Sequence, residues 1–204
     1  MKASPNAAAL VGKWPRSGAL SNRRPDRAVW SDRRWEWAAL RFGDGASGVP
    51  SNVAVDTLDA WFFEPVGQSP ATLRRAAGAG SIYWLGRRER TGASLWGGAT
   101  YQLTVPQPVP ARLFWSITVY DAETRTQIQT DQGKAALRSL FELKSFRYDH
   151  FLTLYFGPAA PIGREDLWIK TVAGKPWFAY FRVYGPEAPA FDGSWKPGDF
   201  ERYR

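Results

Sequence analysis

The chain is 204 residues long, enough for one large domain whose core needs no disulfide or metal staple. It carries no cysteine and a single histidine, His150, which excludes disulfides, thiolate chemistry and multi-histidine metal sites built within one chain. The net charge is +8, and nine basic against three acidic residues through Phe42 place +6 of it in that segment and +2 in the rest. A basic segment ahead of a nearly neutral body reads as a solvated arm or as a polyanion contact. With no zinc-knuckle, helix-turn-helix or RNP pattern, nucleic acid is not the expected partner.

Residues 1–30, rich in Ala, Ser, Pro, Arg and Gly without a sustained period, read as a basic, disordered arm. The apolar run 7–12 is too short for a signal-peptide core, and no stretch approaches the roughly 18 apolar residues of a membrane helix. The expectation is therefore a soluble chain with no membrane partner, cytoplasmic by default. Residues 31–80 follow as a helical lead-in. Ser31 is an N-cap candidate, and Trp35, Ala38 and Ala39 fall at helical spacing behind it. After a loop at 43–51, a second helix is predicted over 52–64, with Val55, Leu58 and Phe62 on one face. A third begins at Pro70 and stops at Gly78.

The pattern changes over 81–204. Runs at 81–87, 100–105, 112–120, 150–156 and 177–184 are dense in β-branched and aromatic residues and are separated by Gly- and Pro-bearing breaks. Tyr101, Leu103 and Val105 alternate with polar neighbours, and 151–156 is apolar on both faces, which suits two packed sheets. One helix is predicted among the strands at 135–143, from the stripe Ala136, Leu137, Leu140 and Phe141. The fold class is thus mainly β: an antiparallel β-sandwich with a short N-terminal helical region and one inserted helix.

The run from Leu113 to Asp121, LFWSITVYD, resembles a characteristic strand of the domain of unknown function known as family 1214. Gln129-Thr130-Asp131-Gln132-Gly133-Lys134, Tyr155-Phe156-Gly157-Pro158, Trp168-Ile169-Lys170-Thr171 and the stretch from Phe191 to Phe200 extend the resemblance in the same order. It covers about 81 to the C-terminus, and more loosely from Arg33. The resemblance implies a jelly-roll-like sandwich and a preceding partner domain of unknown-function family 1254, which this sequence does not carry. It implies no activity. Two departures stand out: Trp96 precedes Gly97-Gly98 where the family tends to place an acid, and Arg88-Glu89-Arg90-Thr91-Gly92 stands where the turn before it often carries Asp-x-x-Gly, so a pocket that used those acids is altered here. The two glycines still supply a permissive hairpin backbone.

Two constellations could carry chemistry. Trp115, Tyr120, Asp121 and Arg125 combine an aromatic platform with an acid and a base, the means by which sugars and flat organic molecules are held. The same residues read equally as core aromatics and a turn cap. Trp168 and Lys170, behind Arg164, Glu165 and Asp166, could meet an acidic ligand, or could close an end of the sandwich. His150 has the chemistry of a general base but reads as a surface residue, because Asp149 beside it would point to the opposite face of a strand. No P-loop, dinucleotide fingerprint or nucleophile elbow is present, and no cofactor is expected. The functional expectation is a ligand-binding sandwich for a carbohydrate or another polar organic molecule. A lyase or hydrolase acting on a polyanionic glycan, and an assembly domain forming a homo-oligomer, are the alternatives.

Overall fold

Alternation along the strands decides the architecture of this protein, whose computed structural model describes residues 27–38, 77–78, 80–146 and 150–204. Strand β3 (Tyr101–Pro106) buries Tyr101, Leu103 and Val105 and turns the intervening residues outward, as its period of two requires. The long strand β8 (Trp177–Pro186) does the same with Ala179, Phe181 and Val183.

Among the described residues nine strands form two sheets. The larger has the order β1 (Glu36–Trp37), β2 (Ser81–Gly86), β8, β4 (Ala111–Asp121), β5 (Ala136–Arg138), antiparallel throughout. The smaller has the order β7 (Trp168–Lys170), β6 (Phe151–Gly157), β3, β9 (Glu201–Arg202). Its β6–β7 pair is parallel, because residues 158–167 carry the chain back across the sheet end instead of turning a hairpin. Both inner faces meet in one apolar core. Trp177 of the larger sheet stacks on Phe156 of the smaller at 5.5 Å and meets Tyr101 edge-on at 5.8 Å. The expected β-sandwich is therefore present.

The inserted helix is not. Residues 136–138 form strand β5 on the open edge of β4, with Leu137 opposite Ile117, and a tight turn follows. The turn closes through the Arg138 amide on the Glu142 carboxylate at 2.9 Å. Helical spacing here is a local preference, and edge pairing with a fully buried Leu137 outweighs it. The cost shows in the rest of the stripe: Leu140 and Phe141, which a helix would have packed inward, are exposed.

The helix expected to open at Ser31 is also replaced. Ser31 and Asp32 make a turn, and the chain runs extended into β1. Trp35 and Ala38, one stripe on a helix, bury on opposite faces of the larger sheet. Trp30 also belongs to the core, so the segment from Arg27 onward is part of the sandwich. The predicted helices at 52–64 and from Pro70, and most of the basic arm, lie outside the described residues. Among the described residues no helix is long and apolar enough to cross a membrane.

Candidate functional site

Three segments distant in sequence meet beside β9. Trp35 is the anchor: its ring packs on Phe181 and Phe200 in the core, and its Nε1–H donates to the Gly198 carbonyl at 2.7 Å. That bond holds the turn before β1 against the chain leading into β9. Arg33 Nε donates to the Pro197 carbonyl at 3.1 Å, and Lys196 pairs with Asp32 at 3.0 Å. The third segment enters through the Arg90 amide on the Phe200 carbonyl at 2.8 Å.

Between these segments lies a cleft of about 420 Å³. Residues 31–34 form one wall and Gly198, Asp199 and Glu201 the other, with Arg90 between them. Among the described residues the lining therefore holds three arginines and three carboxylates. Arg90 pairs with Glu201 at 2.8 Å at the exposed rim. Arg34 donates its Nε–H to the Arg90 carbonyl at 3.0 Å, and its backbone N–H to Asp199 Oδ1 at 2.7 Å. Burial pushes the Asp199 carboxyl above the usual aspartate range, against the pull of that amide and of Arg33, Arg34 and Arg90. Asp32 behaves oppositely, held low by its hydrogen bond from Lys196.

The residues singled out in the sequence lie elsewhere, and the structure divides them. Trp115 points into the core, stacked on Phe181 with ring centroids 5.2 Å apart. Tyr120 is on the outer face of the same sheet, stacked on Phe178 at 5.3 Å, with its hydroxyl accepting from Arg182. Asp121 caps the turn after β4, accepting from the Glu123 and Thr124 amides at 2.8 and 3.0 Å, and pairs with Lys175 at 3.2 Å. Burial pushes its carboxyl up, but the two amides and Lys175 outweigh this and hold it low. Arg125 occupies the left-handed position of that turn, with φ 63°, and its amide donates to the Asp121 carbonyl. Trp168 and Lys170 sit on β7 in the other sheet. Trp168 Nε1–H donates to the Gly157 carbonyl at 3.0 Å, Lys170 pairs with Asp131, and Gln132 bridges both backbones. His150 is exposed, just ahead of β6. Among the described residues, no group of three His, Asp or Glu side chains could hold a metal ion.

Sequence reasoning missed the cleft. Within the stretch from Phe191 to Phe200 that carries part of the resemblance, Trp195 and Phe200 enter the core. The signal that was available is slight: an Arg-Arg pair beside a tryptophan, and a lone aspartate after Pro-Gly.

A family model described as a protein of unknown function, DUF1214, matches residues 80–188, just over half of the chain. The chain belongs to this family. Within the cleft of this DUF1214 chain, Arg90 lies inside the matched span, and both walls lie outside it. No curated protein matches the chain. Among solved structures it is similar to the VPA0106 protein of Vibrio parahaemolyticus, with a TM-score of 0.54 at 18% identity, over 73% of this chain and 35% of that one. It is also similar to an uncharacterised protein of Burkholderia cenocepacia, with a TM-score of 0.36 at 13% identity, over 60% and 29%. The Vibrio likeness is one of fold alone. The DUF1214 chain spans about a third of the length of either protein.

Proposed function

We propose that this DUF1214 chain is a binding protein for a small polar organic molecule, held in the cleft between residues 31–34 and the lead into β9. One observation carries the reading: the cleft keeps a half-buried carboxyl, Asp199, at a raised pKa among three arginines. Removing such charges from water is costly, and clefts that concentrate perturbed titratable groups are binding-site candidates. Recognition there rests on charge and hydrogen bonding. Among the described residues the lining carries no aromatic ring, so a sugar would be held there by its hydroxyls and acid groups and not by stacking.

A thermal-shift panel tests this reading, run with sugars, sugar acids, hydroxy acids and amino acids on the wild type and on Ser31→Trp. Ser31 is an exposed wall residue, and an indole in its place blocks the cleft without entering the core. A ligand at about a hundred times its Kd adds about 2.7 kcal/mol, which in a domain of this size raises Tm by roughly 5–11 °C. The expected result is a ligand-dependent shift in the wild type that Ser31→Trp abolishes. A shift of equal size in both proteins, or none with any compound, removes the cleft as the site.

A further inference from the structure

The geometry points to a small hydroxy carboxylate as the ligand class of this cleft, its carboxylate seated on the Arg34 guanidinium and a hydroxyl donating to Asp199. This inference rests on the cleft being the binding site.

The donors of the cleft are not equally committed. Arg33 spends Nε on the Pro197 carbonyl and Nη1 on Asp32, and Arg90 spends Nη1 on Glu201. Arg34 is tied only by its backbone amide and by Nε. Both of its terminal nitrogens lack a partner among the described residues, while the Nε bond fixes the plane of the group. Two parallel N–H donors in a fixed plane match the two oxygens of a carboxylate, and this end-on fork is the arrangement arginine forms best with that group.

The charge balance agrees. Arg33, Arg34, Arg90 and Lys196, the last paired with Asp32, face the three carboxylates Asp32, Asp199 and Glu201. Among the described residues the lining itself is balanced, and Lys196 behind Asp32 adds one positive charge that a monoanion neutralises. Asp199 supplies the complementary half. Its Oδ1 is occupied by the Arg34 amide, and Oδ2 has no partner among the described residues, so it can accept from a ligand hydroxyl in the cleft that Arg34 also lines. A neutral polyol can satisfy Asp199 but leaves the fork empty.

Gluconate and glucitol differ only at C1, carboxylate against hydroxymethyl, and so isolate the carboxylate. Isothermal titration of the full chain at matched ionic strength compares the two on wild type, Arg34→Gln and Arg34→Lys, each checked for an unchanged far-UV spectrum. Wild type should favour gluconate by about ten- to a hundredfold, the factor expected of a charge-assisted hydrogen-bond pair. Arg34→Gln should reduce the preference to under about threefold. Arg34→Lys, which keeps the charge and loses the fork, should fall between. Glucitol binding as tightly as gluconate, or a preference surviving Arg34→Gln, overturns the carboxylate assignment and leaves a polar-ligand cleft standing. Binding of neither compound overturns the assignment as well. If no compound in the thermal panel acts through Ser31→Trp either, the binding reading goes with it.

Discussion

Gly97 makes the closest backbone approach of any described glycine, and its replacement by alanine gives a sharp test of how the β2–β3 connection seats on the β7–β8 connection. A Cβ at Gly97 would lie 2.0 Å from the Val172 carbonyl oxygen, 2.8 Å from its carbon and 3.1 Å from the Lys175 oxygen. These are backbone atoms already committed: Gly97 donates to the Lys175 carbonyl at 2.8 Å, and its own carbonyl accepts from Thr171 Oγ1 at 2.8 Å. No side chain can swing aside, so the turn must move by about an ångström and give up at least one buried bond. Overpacking of about 1–3 kcal/mol plus a lost bond of about 1 kcal/mol gives a loss near 3 kcal/mol. In a domain of this size that lowers Tm by about 6–12 °C. Gly98 is the internal control. Its Cβ would meet only the Trp96 ring at 3.6 Å, an ordinary contact, so Gly98→Ala should be neutral within about 0.5 kcal/mol or slightly stabilising through the unfolded state. Urea unfolding followed by tryptophan fluorescence reads both. Equal stability of the two variants would mean that the 97–98 turn is not seated on Val172, and the steric argument would fail.

Three further outcomes follow from the same structure. Glu36 is fully buried and pairs with Arg87 at 3.0 Å, so Glu36→Gln should cost about 3–5 kcal/mol in urea midpoint measurements. Joint replacement by Leu and Met should recover most of that, and a double variant no better than the single one would refute a charge-burial cause. Asp199 has a raised folded-state pKa, so its contribution is intact below the ordinary aspartate range and is lost as pH rises through the raised value. Asp199→Asn should accordingly gain Tm relative to wild type as pH increases from 3 to 7, with the difference closing at the acid end; a flat difference contradicts the burial argument. Trp115 packs on Phe181 in the core, so Trp115→Ala should cost about 3–5 kcal/mol, while Trp115→Phe should leave ligand titrations unchanged. Loss of binding in a folded Trp115→Phe protein would return Trp115 to the site.

The strands at 81–87, 100–105, 112–120, 150–156 and 177–184 were legible because a period of two is a local property. Each run shows its buried face within six or seven residues, and the five observed strands begin and end within two residues of these spans. Parity was present in the sequence but unused, because the expected constellation joined Trp115 and Tyr120. Trp115 and Tyr120 are five positions apart on one strand, an odd separation that puts them on opposite faces, and the structure places them so. Other elements were decided by partners that local pattern does not name. Residues 136–138 and 36–37 became strands because β4 and β2 offered open edges, and pairing with Ile117 and Trp84 outweighed helical spacing. The cleft is the extreme case. Arg34 and Asp199, separated by 165 positions, meet because Trp35 and Phe200 bury in one core and draw their polar neighbours together. Burial, proximity and the raised Asp199 pKa belong to that encounter, so the amino-acid order determined the sandwich, and the tertiary packing alone decided where its charges converge.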